Sequence, residues 1–187
     1  MEGVARGQVR LLPHNPDWEQ EFLRVKEELW QLWPQNILEI QHVGSTAIPA
    51  ICAKPILDVA VRLRSIAAME KGKLEALGYE YRGPQFGNEN YHLFVLRGEG
   101  QISLRHIHCY QAVEKEFDQL VGFRDHLNAH PETAARYAAL KRELARQRQG
   151  DRRAYTRAKG AFIQEVYRLL DSEARPAADG QSFCAER

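Results

Sequence analysis

Residues 42–61 read HVGSTAIPAICAKPILDVAV. A Gly-Ser-Thr turn follows one apolar run, and a Lys-Pro pair precedes a second run that holds a lone acid, Asp58. A carboxylate among Ile56, Leu57, Val59 and Val61 is costly to bury unless a cation, a metal or several donors meet it. A strand, a glycine turn and a strand carrying an acid set the frame for the rest of the chain.

Upstream, Val9–Leu12 reads as a short strand. Asn15 reads as a helix cap with Pro16 in the first turn. Trp18, Phe22, Val25, Leu29 and Leu32 recur every three to four residues, the period of an amphipathic helix that Pro34 helps to end. Ile37–Val43 and Ile56–Leu63 read as core strands. Ser65 is expected to cap a helix burying Ile66, Met69, Leu74 and Leu77, with Gly78 as its stop.

Tyr79–Arg82 reads as a strand and 83–90 as a polar loop. HLFVLRGEGQISLRHIHCY has two strand-like arms around Gly98-Glu99-Gly100. In its second arm Ile102, Leu104, His106, His108 and Tyr110 share one face, because strand side chains alternate. The remainder is helical: Glu114–Asn128, a helix from Pro131, a loop at Gln149-Gly150-Asp151, and a last helix with Tyr155, Phe162, Val166 and Leu169. The expected architecture is α+β, a small mixed sheet with a C-terminal run of helices packed on it. It forms one domain over residues 1–172, with a frayed tail at 173–187.

The 187 residues carry a formal net charge of +1 and 44% hydrophobic residues. That length suits one sizeable core. The charge balance argues against a general nucleic-acid coat or a membrane-surface binder. The cysteines, Cys52, Cys109 and Cys184, are far apart and odd in number, so free thiols in a reducing compartment are expected. No leading apolar segment or bilayer-length stretch occurs, so the expectation is a cytoplasmic protein without a membrane partner.

Several features carry chemistry. The Gly44-Ser45-Thr46 turn exposes N–H groups and a hydroxyl suited to phosphate oxygens, or serves as a plain turn and cap. Lys54 can fold back toward the same anion, and Asp58 can hold a metal or pair with Lys54. His106 and His108 stand about 6.6 Å apart along the strand, at ~3.3 Å per residue, close enough to share a metal, grip a phosphate or act as an acid–base pair. The basic stretch LKRELARQRQGDRRAYTRAK reads either as a solvated helix face or as a wall toward nucleotide phosphates or RNA. Arg124, beside Asp125, reads as a buried or site-facing pair.

The blocks QHVGSTAIPAICAKPILDVAV, LGYEY, HIH, FRDHLNAHPETAARYAALKRELA and YTRAKGAFIQEV stand in the order found in the GrpB family. The chain resembles that family from LLPHNPDWEQEF to about Leu170. The resemblance implies a nucleotidyltransferase-like fold. In that superfamily a Gly-Ser turn follows the first strand, and acids on the next strand hold Mg²⁺ against nucleotide phosphates. Carried over, Gly44 and Ser45 form the turn and Asp58 is the strand carboxylate. GrpB regions are also found fused to dephospho-CoA kinase and have been labelled a protein-folding accessory domain. The superfamily's usual D-x-D pattern is absent: Ala60 follows Asp58 at the second position and Ile56 precedes it, while the later strand offers His106 and His108. Ala50 stands where the family motif has glycine.

Three readings follow. The first is a nucleotidyl- or phosphoryl-transferase with Mg²⁺ at Asp58, His106 or His108 as further ligands and catalytic groups, and Lys54, Arg124, Tyr155 and Lys159 toward the anion. The second is a non-catalytic module that binds a nucleotide or a partner. The third is a metal hydrolase using zinc on Asp58, His106 and His108.

Overall fold

The computed structural model describes residues 1–5, 7–148 and 151–173. Residues 149–150 of the loop expected at 149–151 and, apart from Glu173, the expected tail lie outside the described residues.

Helix α1 (Asp17–Leu32) turns Trp18, Phe22, Val25 and Leu29 inward, as their spacing predicts. Asn15 Oδ1 accepts from the Asp17 N–H at 2.9 Å, which places the start of the helix one residue later than expected. The strands are β1 (Ile37–Val43), β2 (Leu57–Leu63), β3 (Tyr79–Gln85), β4 (Asn88–Gly98) and β5 (Ile102–Gln111). The short helix α2 (Lys71–Ala76) separates β2 from β3. Helices α3 (Lys115–Ala129), α4 (Pro131–Gln147), α5 (Arg152–Ala158) and α6 (Gly160–Glu173) complete the chain.

The five-stranded sheet has the order β1-β2-β5-β4-β3. β2 pairs parallel to β5 and antiparallel to β1, while β4 pairs antiparallel with β5 and β3, so the sheet is mixed. β2 is covered on both faces, which explains its nearly continuous apolar run. On one face Leu57, Val59, Val61 and Leu63 pack with Ile107, Cys109 and the α1 stripe. On the other, Val43, Ala60, Tyr91 and Tyr110 meet Phe117 of α3. A third cluster joins Ile48 and Ile51, from the loop between β1 and β2, to Phe123, Tyr137, Phe162 and Val166 of the helices. That loop is therefore held between sheet and helices.

Several local expectations are corrected. The strand expected at Val9–Leu12 is only an isolated bridge, in which Leu12 and Ala53 exchange two backbone bonds of 2.8 Å. Ser65 Oγ accepts from the Ala68 N–H at 3.2 Å and caps a turn, and α2 starts only at Lys71. Leu77 lies beyond the end of α2 and is exposed. The loop expected at 83–90 is a hairpin between β3 and β4, turning on Phe86 and Gly87, both at positive φ. The last helix is two pieces that meet at Lys159, with the Asp151 side chain accepting from the Ala154 N–H at the start of α5.

Candidate metal and anion site

Parallel pairing of β2 with β5 sets Asp58 opposite His106 and Ala60 opposite His108. All three polar side chains thus emerge on one face. Asp58 Oδ1 accepts from His106 Nδ1 at 2.9 Å and from His108 Nε2 at 3.4 Å. One ligand atom from each of the three residues lies within 4.8 Å of the others, which fits a single metal ion. Burial alone would raise the Asp58 carboxyl. The two imidazole bonds and charges outweigh it and hold the group well below the usual carboxylate range. Behind His108, the Tyr91 hydroxyl lies 2.7 Å from Nδ1. Such an outer partner sets the tautomer and the ring orientation.

Gly44 ends β1 at φ 70 and ψ −169, a region open essentially to glycine. The absent side chain is also required for space, because a Cβ there would sit 2.5 Å from Asp58 Oδ2. Ser45–Ala47 then form one 3₁₀ turn. Ser45 faces a cavity of about 140 Å³, whose lining also includes Lys54, Asp58, His106 and Lys159. Thr46 faces the other way. Its Oγ1 donates to the Ile56 carbonyl at 3.4 Å and meets His42 Nε2 at 2.9 Å, bracing the loop from behind.

Tyr155 is fully buried, and its ring meets two cations, with Lys54 Nζ 4.3 Å and Lys159 Nζ 4.9 Å from its centroid. Two lysines on one aromatic ring at a cavity wall suit an anion. The Tyr155 hydroxyl is buried without a hydrogen-bond partner, although most such groups have one. Arg124 is not brought to the cavity. Its guanidinium donates to Gln41 Oε1 and the His42 carbonyl, both at 2.8 Å, and so pins α3 to the end of β1.

The basic stretch divides in two. Arg142, Arg146, Arg148, Arg153 and Arg157 are exposed, a solvated face. Lys141 is 1% exposed and donates to Ser45 Oγ at 2.7 Å and to the Cys52 carbonyl at 2.6 Å. Burial, helped by nearby Lys159 and Lys54, pushes its amine down to about 7. Sequence reasoning left Lys141 with the rest of the basic stretch, between a solvated face and an anion-facing wall, and did not single it out. The available signal was its period, since Ala134, Tyr137, Ala138, Lys141 and Leu144 form one buried stripe at helical spacing. Tyr91 was also missed, because only the β4–β5 register brings it to His108.

A sequence model described as GrpB protein matches residues 8–169. The chain belongs to the GrpB family. It is 32% identical over 181 residues to glutamate-rich protein GrpB of Alkalihalophilus pseudofirmus, covering 89% of this chain and 98% of that one. The crystal structure of GrpB from Enterococcus faecalis superposes with a TM-score of 0.80 at 29% identity, covering 88% of this chain and 98% of that one. UPF0157 protein YqkA of Bacillus subtilis is 33% identical over 158 residues, covering 83% of this chain. A dephospho-CoA kinase of Mycolicibacterium paratuberculosis is 28% identical over 191 residues, covering 88% of this chain. The chain spans 45% of the length of YqkA and 46% of that kinase. The GrpB family and the mixed α+β architecture, a small mixed sheet with helices packed on it, are as expected from the sequence. Among the described residues no helix is long and apolar enough to cross a membrane.

Proposed function

We propose that this protein binds the phosphate chain of a nucleotide together with a divalent metal ion and transfers a phosphoryl or nucleotidyl group. One observation carries the reading. Asp58 and His106 border the same cavity as the cations Lys54 and Lys159, and His108 completes the three-residue cluster behind them. Asp58, His106 and His108 would hold the metal, which supplies Lewis-acid neutralisation of phosphate oxygens. Lys54 and Lys159 meet the remaining negative charge, and both ammonium groups rest against the Tyr155 ring. A cavity of about 140 Å³ is below the usual few hundred Å³ of a whole-ligand pocket, so it takes phosphates while base and sugar lie outside.

Mg²⁺ suits an arrangement in which Asp58 and the nucleotide phosphates share the ion. Two imidazoles and a carboxylate also suit zinc. The deciding experiment is thermal unfolding with nucleoside triphosphates, nucleoside diphosphates and dephospho-CoA, each with Mg²⁺, with Zn²⁺ and with chelator. A ligand at 100 times its Kd adds about 2.7 kcal/mol to the folded state, or roughly 5–10 °C for a chain of this size. A metal-dependent rise with a nucleotide, lost in Asp58→Asn, is the expected result. A flat panel overturns the reading.

A second reading, a binding module without turnover, is favoured by the solitary carboxylate on β2, where Ala60 takes the second position. The two separate on release of phosphate or pyrophosphate by a chain already shown to bind.

A further inference from the structure

We infer that Ser45 and Lys141 form a nucleophile–base pair, and that Ser45 Oγ is a covalent acceptor for a phosphoryl-class group. The inference deepens the proposed function by giving the transferred group a first landing point on the protein. Four observations support it. Ser45 borders the cavity that Lys54, Lys141 and Lys159 also line. Lys141 Nζ lies 2.7 Å from Ser45 Oγ, the geometry of a proton acceptor serving a hydroxyl. The lysine is almost wholly buried, and no carboxylate bonds its nitrogen among the described residues. The Cys52 carbonyl, 2.6 Å away, accepts one N–H and fixes the amine beside Ser45, whose hydroxyl the Tyr137 side chain also meets.

The chemistry balances without a further reagent. Ser45 Oγ attacks phosphorus and forms an O–P bond. The bond from phosphorus to its leaving oxygen breaks, and that oxygen departs with the electron pair. The hydroxyl proton passes to Lys141 Nζ. In the second half, water or an acceptor hydroxyl attacks the same phosphorus and passes its proton to a phosphoryl oxygen of the product, Ser45 Oγ leaves with the electron pair of the broken O–P bond, and the Lys141 ammonium returns its proton to it. Charge developing on the phosphoryl oxygens meets Lys54 and Lys159.

The test uses the full chain and an alkyl fluorophosphonate, which needs neither nucleotide nor metal. Ser45 Oγ would bond to phosphorus, fluoride would leave with its electron pair, and Lys141 would take the proton. Intact mass and peptide mapping read the adduct. The expected result is one adduct, on Ser45, absent in Ser45→Ala and slowed about a hundredfold in Lys141→Met, within the range of general-base catalysis. The wild-type rate should rise through about pH 7 as the amine, lowered by burial with Lys159, Cys52, Lys54 and Asp58 around it and the Tyr137 ring 5.4 Å away, loses its proton. This profile requires no variant to fold. An unlabelled Ser45 at pH 9, or an equal rate and the same profile in folded Lys141→Met, overturns the inference. Labelling of Ser45 with a flat nucleotide panel would retain the pair and discard the nucleotide, so the two failures are distinguishable.

Discussion

Gly44 and Asp58 occupy adjoining space: a Cβ on Gly44 would lie 2.5 Å from the Asp58 Oδ2 atom. The turn glycine and the strand acid are therefore one structural unit. The acid can stand at the floor of the cavity only because nothing projects from the turn.

Gly44→Ala is expected to lose about 1–3 kcal/mol of stability, from the glycine-only backbone region together with the clash. It should also displace the carboxylate. Urea unfolding measures the first effect and metal titration the second. Unchanged metal affinity would show that Asp58 does not need this position.

Tyr91→Phe removes only the hydroxyl that meets His108 Nδ1. Metal affinity is expected to fall roughly 10- to 100-fold, as for other outer partners of a ligand imidazole. Zinc titration by calorimetry against wild type checks this. An equal affinity would remove His108 from the ligand set.

Lys54→Ala and Lys159→Ala are each expected to weaken triphosphate binding about tenfold, near 1.4 kcal/mol, with metal affinity retained. Binding should also become less sensitive to salt, since each change removes a cation from the cavity wall. Nucleotide titrations at two ionic strengths measure both effects.

The buried Lys141 amine gives stability a defined pH dependence. Its proton is held less tightly folded, at about 7, than the ordinary lysine value of 10.5. Between those limits the unfolded chain binds more protons, so stability rises with pH. Above the upper limit the contribution is complete, and it is lost as pH falls through about 7. Unfolding free energies of wild type minus Lys141→Met, measured from pH 6 to 10, should climb across that window. A flat difference would mean that Lys141 keeps its ordinary proton affinity.

The main elements were legible in the residues. The α1 stripe, the apolar run of β2 and the alternation of His106 and His108 are local patterns, and each corresponds to an observed face. Errors fell where neighbours overrode propensity. The β3–β4 turn places Phe86 at positive φ, which a bulky residue does not announce. Val9 and its neighbours form no strand, because among the described residues only Leu12 finds a strand-type backbone partner there, at Ala53.

The sequence by itself determined the family, the order of the elements and the presence of an acid, two histidines and a glycine turn in one chain segment after another. Which atoms meet was decided by tertiary structure. The parallel pairing of β2 with β5 sets Asp58 opposite His106 across a separation of 48 residues. Packing of α4 on the β1–β2 loop brings Lys141 to Ser45 across 96 residues. It also sorts one buried lysine from the exposed arginines around it. Periodicity records which side of a helix is covered, but not what covers it. A lysine on the buried stripe becomes a site residue only because the surface facing it there is Ser45 and the Cys52 carbonyl.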